Sequence, residues 1–338
     1  MSVDTFKYKF RFNRRAVWSL RIFVVLVLVS IFAPLIANDR PWVVCLPKQC
    51  YVPVLKNYTE KDYGGYFQTS MNYKTSFFSD LVADKDGWAI WPPIRFSYDT
   101  HNLNLKEPAP SKPTWQNILG TDDQGRDILA NLIYGIRLSL LFGFLLTLIS
   151  SVLGIFIGAC QGYFGGKFDL FGQRFLEVWS GLPSLYIIMI LASLIAPSFW
   201  TLLFVMMLFA WPGLVGRVRA EFLRERNLDY VKSAQVMGLN NLSIIFRHIL
   251  PNALVTTMTL LPFLLTENIV ALSSLDFLGF GMPIGSPSLG LLLAQAKDNL
   301  HAPWIGISVF ITMSVLLSVL VFIGEGLRDA MDPRLAQS

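Results

Sequence analysis

Charge is scarce in this sequence. Only 15% of its 338 residues are Asp, Glu, Lys or Arg, and it holds three His and three Cys. So little charge, with a positive mean hydropathy, places the chain among membrane proteins. His101, His248 and His301 stand at no metal-ligand spacing, and no Cys completes a ligand set with them, so a metal centre of the usual His/Cys pattern is excluded. There is no G-x-S-x-G nucleophile elbow. GYFGGKF (162–168) has Gln161 where a phosphate loop needs its first glycine, and Phe168 where Ser or Thr would meet magnesium. GFGMPIG (279–285) misses G-x-G-x-x-G by one residue and contains Pro283. The sequence therefore offers no catalytic residues, no metal ligands and no cofactor site of its own.

Apolar residues are abundant. They make up 53% of the chain, 26 of them Phe, and the mean hydropathy is +0.49. A membrane span needs about 20 mostly apolar residues. Six runs qualify, near 17–37, 132–160, 174–196, 198–215, 252–275 and 303–324, and they predict an all-α polytopic membrane protein. The first run has a basic flank but no A-x-A cleavage pattern, since Leu35-Ile36-Ala37 puts Leu where a small residue is wanted. It reads as a retained anchor.

The net charge of +5 does not describe a nucleic-acid surface, because the basic residues sit beside the apolar runs. Lys7, Lys9, Arg11, Arg14, Arg15 and Arg21 precede or open the first run. Arg217, Arg219, Arg224, Arg226, Lys232 and Arg247 fill 216–250, and Arg328 and Arg334 follow the last run. By the positive-inside rule both termini and the 216–251 loop face the cytoplasm. The expected organisation is a cytoplasmic N-terminus (1–16), a first span (17–37), a periplasmic insert (38–118), a transmembrane domain (119–327) and a cytoplasmic tail (328–338), in a bacterial inner membrane.

The insert is rich in Pro, Asp, Lys, Tyr and Trp, and is expected to be of mixed α/β or irregular structure. PWVVCLPKQCYVPVL reads as strand–turn–strand, setting Cys45 opposite Cys50, where a disulfide and a pair of half-buried thiols are both open. Beyond the insert, LGTDDQGRDILANLIYGIRLSL (119–140) predicts a helix capped by Thr121 with Gln124 in a capping box, lying at the outer surface before entering the bilayer.

Residues 229–253, DYVKSAQVMGLNNLSIIFRHILPNA, interrupt the apolar pattern. Tyr230, Val231, Ala234 and Met237 fall on one helical face, and Ala234 gives that face a shallow spot for a partner. Gly238 suits a helix C-terminus with positive φ. Asn240 or Asn241 caps a second helix, which Pro251 is expected to end. A compact helix of this kind fits a groove on a soluble protein, although a bare cytoplasmic hairpin has the same pattern.

At this point the sequence resembles the EAA-loop permeases of ABC importers. Lys232-Ser233-Ala234, Gly238 and Ile249-Leu250-Pro251 stand where that family has EAA, Gly and I/L-L-P, with Lys replacing Glu and Ser replacing the first Ala. RHILPNA, with His248, together with SLDFLGFG and DAMDPRL, resembles the dipeptide, oligopeptide and nickel branch. The insert and GSPSLG (285–290) are most similar to permeases of peptide and microcin C importers. The resemblance implies a type I importer fold with a homologous second permease, a cytoplasmic ABC ATPase with two nucleotide-binding domains, and a periplasmic peptide-binding protein. ATP and magnesium would sit on the ATPase alone. It also implies that Tyr230, Val231, Lys232, Ser233, Ala234, Met237, Gly238, His248, Leu250 and Pro251 form the ATPase-coupling element.

Glu267 lies inside the fifth run and Pro262 five residues before it. A carboxylate in hydrocarbon costs roughly 2.5–3.5 kcal/mol on insertion scales, so Glu267 is expected to face water or the bundle interior. It is a candidate for the translocation path, with Pro262 kinking the helix to make room; a buried helix–helix contact is the other reading. Residues 273–300 predict a scoop-like loop over that path. Outside the importer class, a membrane-anchored periplasmic enzyme would need a clustered nucleophile or base that the insert lacks. A channel or secondary transporter would work without ATP.

Overall fold

The computed structural model of the chain describes residues 10–47, 49–105 and 107–331. Lys7, Lys9 and Arg334, which entered the orientation reading, lie outside the described residues, as does the end of the DAMDPRL motif. Two compact units are present. One comprises Met1–Val24, Ser139–Pro283 and Ser314–Ser338; the other comprises Val25–Leu138 and Ile284–Met313.

Among the described residues two helices are long and apolar enough to cross a bilayer alone, Ile128–Phe164 and Pro303–Met331. Three more candidates are broken: Gly166–Ser180 with Ser184–Leu194 (bent 71°), Phe199–Ala210 with Pro212–Glu225 (41°), and Asn241–Met258 with Leu261–Phe277 (56°). Each bent pair counted as one span gives five by length and composition. The helix of the first run, Arg14–Ile31, has 18 residues and carries Arg14, Arg15 and Arg21. The runs read as unbroken spans at 174–196, 198–215 and 252–275 each contain a break at a proline. Pro183 precedes one helix, and Pro212 and Pro262 open the others. A proline has no N–H to continue the ladder, and its ring crowds the preceding turn, so the helix stops and restarts in a new direction.

The 273–300 segment is also less irregular than expected. Leu261–Phe277 continues as helix, and after a turn Ser288 caps a second helix, Leu289–Asp298, by accepting from the Leu291 N–H.

The second unit holds a three-stranded sheet, β1 (Val43–Leu46), β2 (Gln49–Tyr51) and β3 (Trp88–Ile90), in the order β2-β1-β3. Both pairings are antiparallel, and Cys45 lies opposite Cys50. The two sulfurs are bonded. Val44, Tyr51, Tyr63, Met71, Tyr73, Phe78 and Leu81 form the core beneath the sheet, so half of the tyrosines of this segment are spent on packing.

The helix at Ile128 does not begin with a Thr121 cap. The Thr121 hydroxyl accepts the Ser111 N–H at 2.8 Å, while Asp127 caps the helix, its Oδ1 accepting the Ala130 N–H at 2.8 Å. Asp122 takes the Gln124 and Arg126 N–H groups on one oxygen, at 2.9 and 2.8 Å. That turn uses up the residues expected to form the first helical turn.

In the first unit, one helix pair packs through glycine. Gly154, Gly158 and Gly162 recur every four residues on Ile128–Phe164 and face Pro212–Glu225. A Cβ at these positions would lie 2.8 Å from the Trp211 carbonyl oxygen, 2.7 Å from that of Val215 and 2.6 Å from that of Arg219. This is the small-residue spacing by which membrane helices approach closely. Gly158→Leu is expected to destabilise the unit by about 1–3 kcal/mol or more, because the obstructing atoms are backbone and cannot rotate away. Gly216→Ala is the control, since nothing stands within 4 Å of a Cβ there. Thermal inactivation in detergent should separate the two, with Gly216→Ala at or above the parent and Gly158→Leu well below it.

Candidate functional site

The helix Pro212–Glu225 ends in charged residues, and the chain turns through Asn227 and Leu228 into a short helix, Asp229–Val236. Asp229 in its first turn suits the positive end of the helix dipole. Gly238, at φ +78°, stops the helix. Its N–H donates to the Gln235 carbonyl at 3.0 Å, and the Leu239 N–H reaches back to the Ala234 carbonyl at 3.2 Å. This six-to-one closure needs a left-handed residue, and glycine takes that conformation at no steric cost. Asn240 then caps the next helix, its side-chain oxygen accepting from the Ser243 N–H at 2.7 Å.

Pro251 does not end this second helix. The backbone widens into a π-helical stretch, Ile244–Ile249, and the Leu250 N–H bonds to the Ile245 carbonyl, five residues back. Leu250–Met258 continues as α-helix with Pro251 in its first turn. The extra residue in the π turn moves the carbonyl that a proline ring would otherwise strike.

Orientation also differs from expectation. Val231 (0% exposed) and Ala234 (1%) face inward, not toward a partner. They pack with Ile244, Ile245, Ile249 and Ala253 against Leu214, Val218, Phe222, Ala159 and Tyr163. Each fully buried Ile or Phe here contributes about 1.5–3 kcal/mol. The Ala at 234 makes room for the chain's own helices. Lys232 and Ser233 are exposed, and so is an apolar tip of Val236 (89%) and Met237 (72%); Leu242 and Phe246 on the following helical stretch are exposed as well.

Polar clamps hold the base of this knob. Tyr230 donates its hydroxyl proton to the Glu225 carboxylate and accepts from Asn252 Nδ2 at 3.2 Å. Burial, and then the hydrogen bond to Glu225, push the Tyr230 pKa up, which keeps the donor protonated. Tyr163 donates to Asn241 Oδ1 at 2.8 Å, and Arg226 donates to the carbonyls of Gly162 and Tyr163, both at 3.2 Å. The His248 carbonyl lies 3.4 Å from Asn252 Nδ2. Glu225 and Arg226 carry no motif in the sequence, and nothing in RHILPNA assigns its Asn252 a partner; only the fold brings these residues to Tyr230 and Gly162.

The other candidates lie apart from the knob in the chain. Pro262 opens the Leu261–Phe277 helix, and its carbonyl accepts from the Thr266 hydroxyl at 2.8 Å. Glu267 is exposed on that helix, while Asn268 beside it donates to Thr147 Oγ1 at 2.8 Å.

The knob thus combines a rigidly packed base with a protruding apolar tip.

Residues 128–337 match the family model described as binding-protein-dependent transport system inner membrane component, and residues 4–45 match the N-terminal TM domain of oligopeptide transport permease C. The inner membrane ABC transporter permease protein YejE of Escherichia coli (strain K12) is 53% identical, over 97% of this chain and 96% of that protein. The peptidoglycan transport system permease protein YejE of Agrobacterium fabrum is 49% identical, over 96% of this chain and 91% of that protein. Among solved structures, the methionine ABC transporter MetNI in inward-facing conformations superposes with a TM-score of 0.52 at 14% identity. It covers 61% of this chain and 98% of the solved chain, and this likeness shows a shared fold.

Proposed function

The chain belongs to the binding-protein-dependent transport system inner membrane components, and on that premise we propose that it is the permease subunit of an ATP-driven importer of peptides, peptide antibiotics such as microcin C among them. The observation that carries this reading is the extent of the 53% identity. It runs over 97% of the chain, whereas neither family model covers residues 46–127. In this reading the first helix and the five candidates make six spans, both termini and the 216–251 loop face the cytoplasm, and segment 38–118 faces the periplasm. A homologous second permease completes the path. A periplasmic peptide-binding protein delivers cargo, and a cytoplasmic ABC ATPase supplies energy from ATP and magnesium held on its own two domains.

The knob is the mechanical contact. An ATPase groove closes over Val236, Met237, Leu242 and Phe246, with Lys232 and Ser233 at its edge. Because Val231 and Ala234 are locked into the chain's own core, movement of the tip is movement of the helices behind it. Alternation between two packed states then needs a free-energy bias of about 5.5 kcal/mol to move from 1:99 to 99:1. The substrate class has a second reading. The Agrobacterium relative is named for peptidoglycan, which favours cell-wall fragments as cargo. Competition between a short peptide and a peptidoglycan fragment for uptake separates the two.

Purification of the tagged chain in mild detergent is the direct test. A second permease and an ATPase should co-elute; a chain that elutes alone and carries peptide without ATP would end the proposal. Glu267 is the proposed polar point on the path, being exposed on its own chain within an apolar helix. Glu267→Gln is expected to lower peptide uptake about three- to tenfold at normal protein levels; uptake at the parental rate would remove Glu267 from the path.

A further inference from the structure

A cleft of about 1520 Å³ opens within residues 39–117, all of it in the second unit. Arg40, Lys74, Arg95 and Lys112 line it, against the carboxylates of Asp39 and Glu107. Among the described residues none of the four cations enters an ion pair. Arg40 donates to the Asn57 side chain instead, and the Arg95 guanidinium stands 5.5 Å from the Trp91 ring. Lys74 is the most unusual. Its Nζ is buried, makes no hydrogen bond, and lies 3.4 Å from the centre of the Phe96 ring. Burial pushes its pKa down to about 8, with Asp39 and Asp127 pulling the other way. A buried ammonium with no acceptor is costly unless something supplies one. Trp115, also on the cleft wall, is fully exposed.

The volume exceeds the usual range of about 300–1,000 Å³ for small-molecule pockets, and suits an extended segment. An anion with oxygen acceptors would satisfy the Lys74 ammonium, and the exposed indole of Trp115 offers an apolar face on the wall of the same cleft. We propose that this cleft is a docking site for a short peptide with a free C-terminal carboxylate, the carboxylate resting on the Lys74 ammonium and an apolar side chain on Trp115. The inference rests on the reading of the chain as a peptide importer's permease and names a collecting site on it. Asn117 shows how occupancy could reach the membrane. It lines the cleft and donates to Asp127 Oδ2 at 2.8 Å, and Asp127 caps the Ile128–Phe164 helix.

The test uses the full chain with its partners in lipid nanodiscs and two fluorescent tripeptides, identical except that one ends in a carboxylate and the other in an amide. Anisotropy should show the acid binding at least about tenfold more tightly than the amide. Lys74→Met should abolish that preference, and Lys74→Arg should keep it within about threefold. Trp115→Ala, at a fully exposed position, should weaken both peptides alike. Equal binding of acid and amide to the parent, or a preference that survives Lys74→Met, overturns the cleft. The parental comparison and Trp115→Ala stand even if Lys74→Met does not assemble. ATP-driven uptake of the same tripeptides into vesicles is measured alongside. Uptake with no acid preference in binding removes the cleft and leaves the import reading intact. Acid-selective binding with no uptake supports the cleft and removes the import reading for that peptide.

Discussion

Gly238→Pro should cut ATP-driven uptake by at least tenfold while leaving the chain in the membrane and the partner's ATP hydrolysis running. Gly238 sits at φ +78°, whereas a proline ring fixes φ near −65°. Its N–H, which donates to the Gln235 carbonyl at 3.0 Å, would also be lost. Met237, which ends the helix in a right-handed conformation, would be forced toward extended backbone by the proline after it. The bend between the two helices would therefore be redirected, and the tip at Val236 and Met237 with it. The base would survive, because Val231, Ala234, Ile244 and Ile249 are held by burial away from the bend. No atom lies within 4 Å of a Cβ at 238, so the effect is one of backbone conformation and not of bulk. The series follows: Gly238→Asn mildest, since Asn tolerates positive φ, Gly238→Ala intermediate at about 1–2 kcal/mol of local strain, and Pro most severe. Uptake and hydrolysis measured together in reconstituted vesicles check this. Coupled transport by Gly238→Pro at the parental rate would show that the bend is not needed.

Much of the knob was legible in the sequence because its signals are local. A glycine after a helical stretch, an Asn before the next, and an apolar run beyond are read from spacing alone, and the structure has a short helix, a positive-φ glycine and an Asn cap there. Direction was not legible. Periodicity groups Tyr230, Val231, Ala234 and Met237 on a face but does not say whether that face meets a partner or the chain's own core. The answer depends on Phe222, Tyr163 and Val218, which lie far away in sequence. Pro251 was misread for a similar reason: a proline ends a regular helix, but a π turn just before it changes which carbonyl the ring meets. The apolar runs gave the helices and concealed their breaks, because hydropathy averages over Pro183, Pro212 and Pro262. The spacing of Gly154, Gly158 and Gly162 was readable in principle. What it needed was the knowledge that another helix backbone lies against it.

The largest effect on stability is expected from Arg126→Met. Asp122 is fully buried and Arg126 is 3% exposed, and their side chains meet at 2.7 Å. Asp122 Oδ2 also lies 3.5 Å from Gln295 Nε2, which donates to Asp123 Oδ1 at 2.7 Å, so the pair joins the Asp122 turn to the Leu289–Asp298 helix. Removing the guanidinium leaves a carboxylate fully buried from solvent, and breaking a buried pair from one side costs about 3–5 kcal/mol. The two backbone N–H groups that Asp122 accepts soften this loss, but they are dipoles facing a full charge. Arg126→Lys should cost less, keeping the charge and losing the fork. The sharper check is Asp122→Asn together with Arg126→Met. The amide keeps an oxygen for the N–H groups of residues 124 and 126 and removes the stranded charge, so the double variant should recover at least half of what Arg126→Met loses in thermal inactivation. Were the double variant no more stable than Arg126→Met alone, the loss would come from the packing of the arginine stem and not from an uncompensated carboxylate.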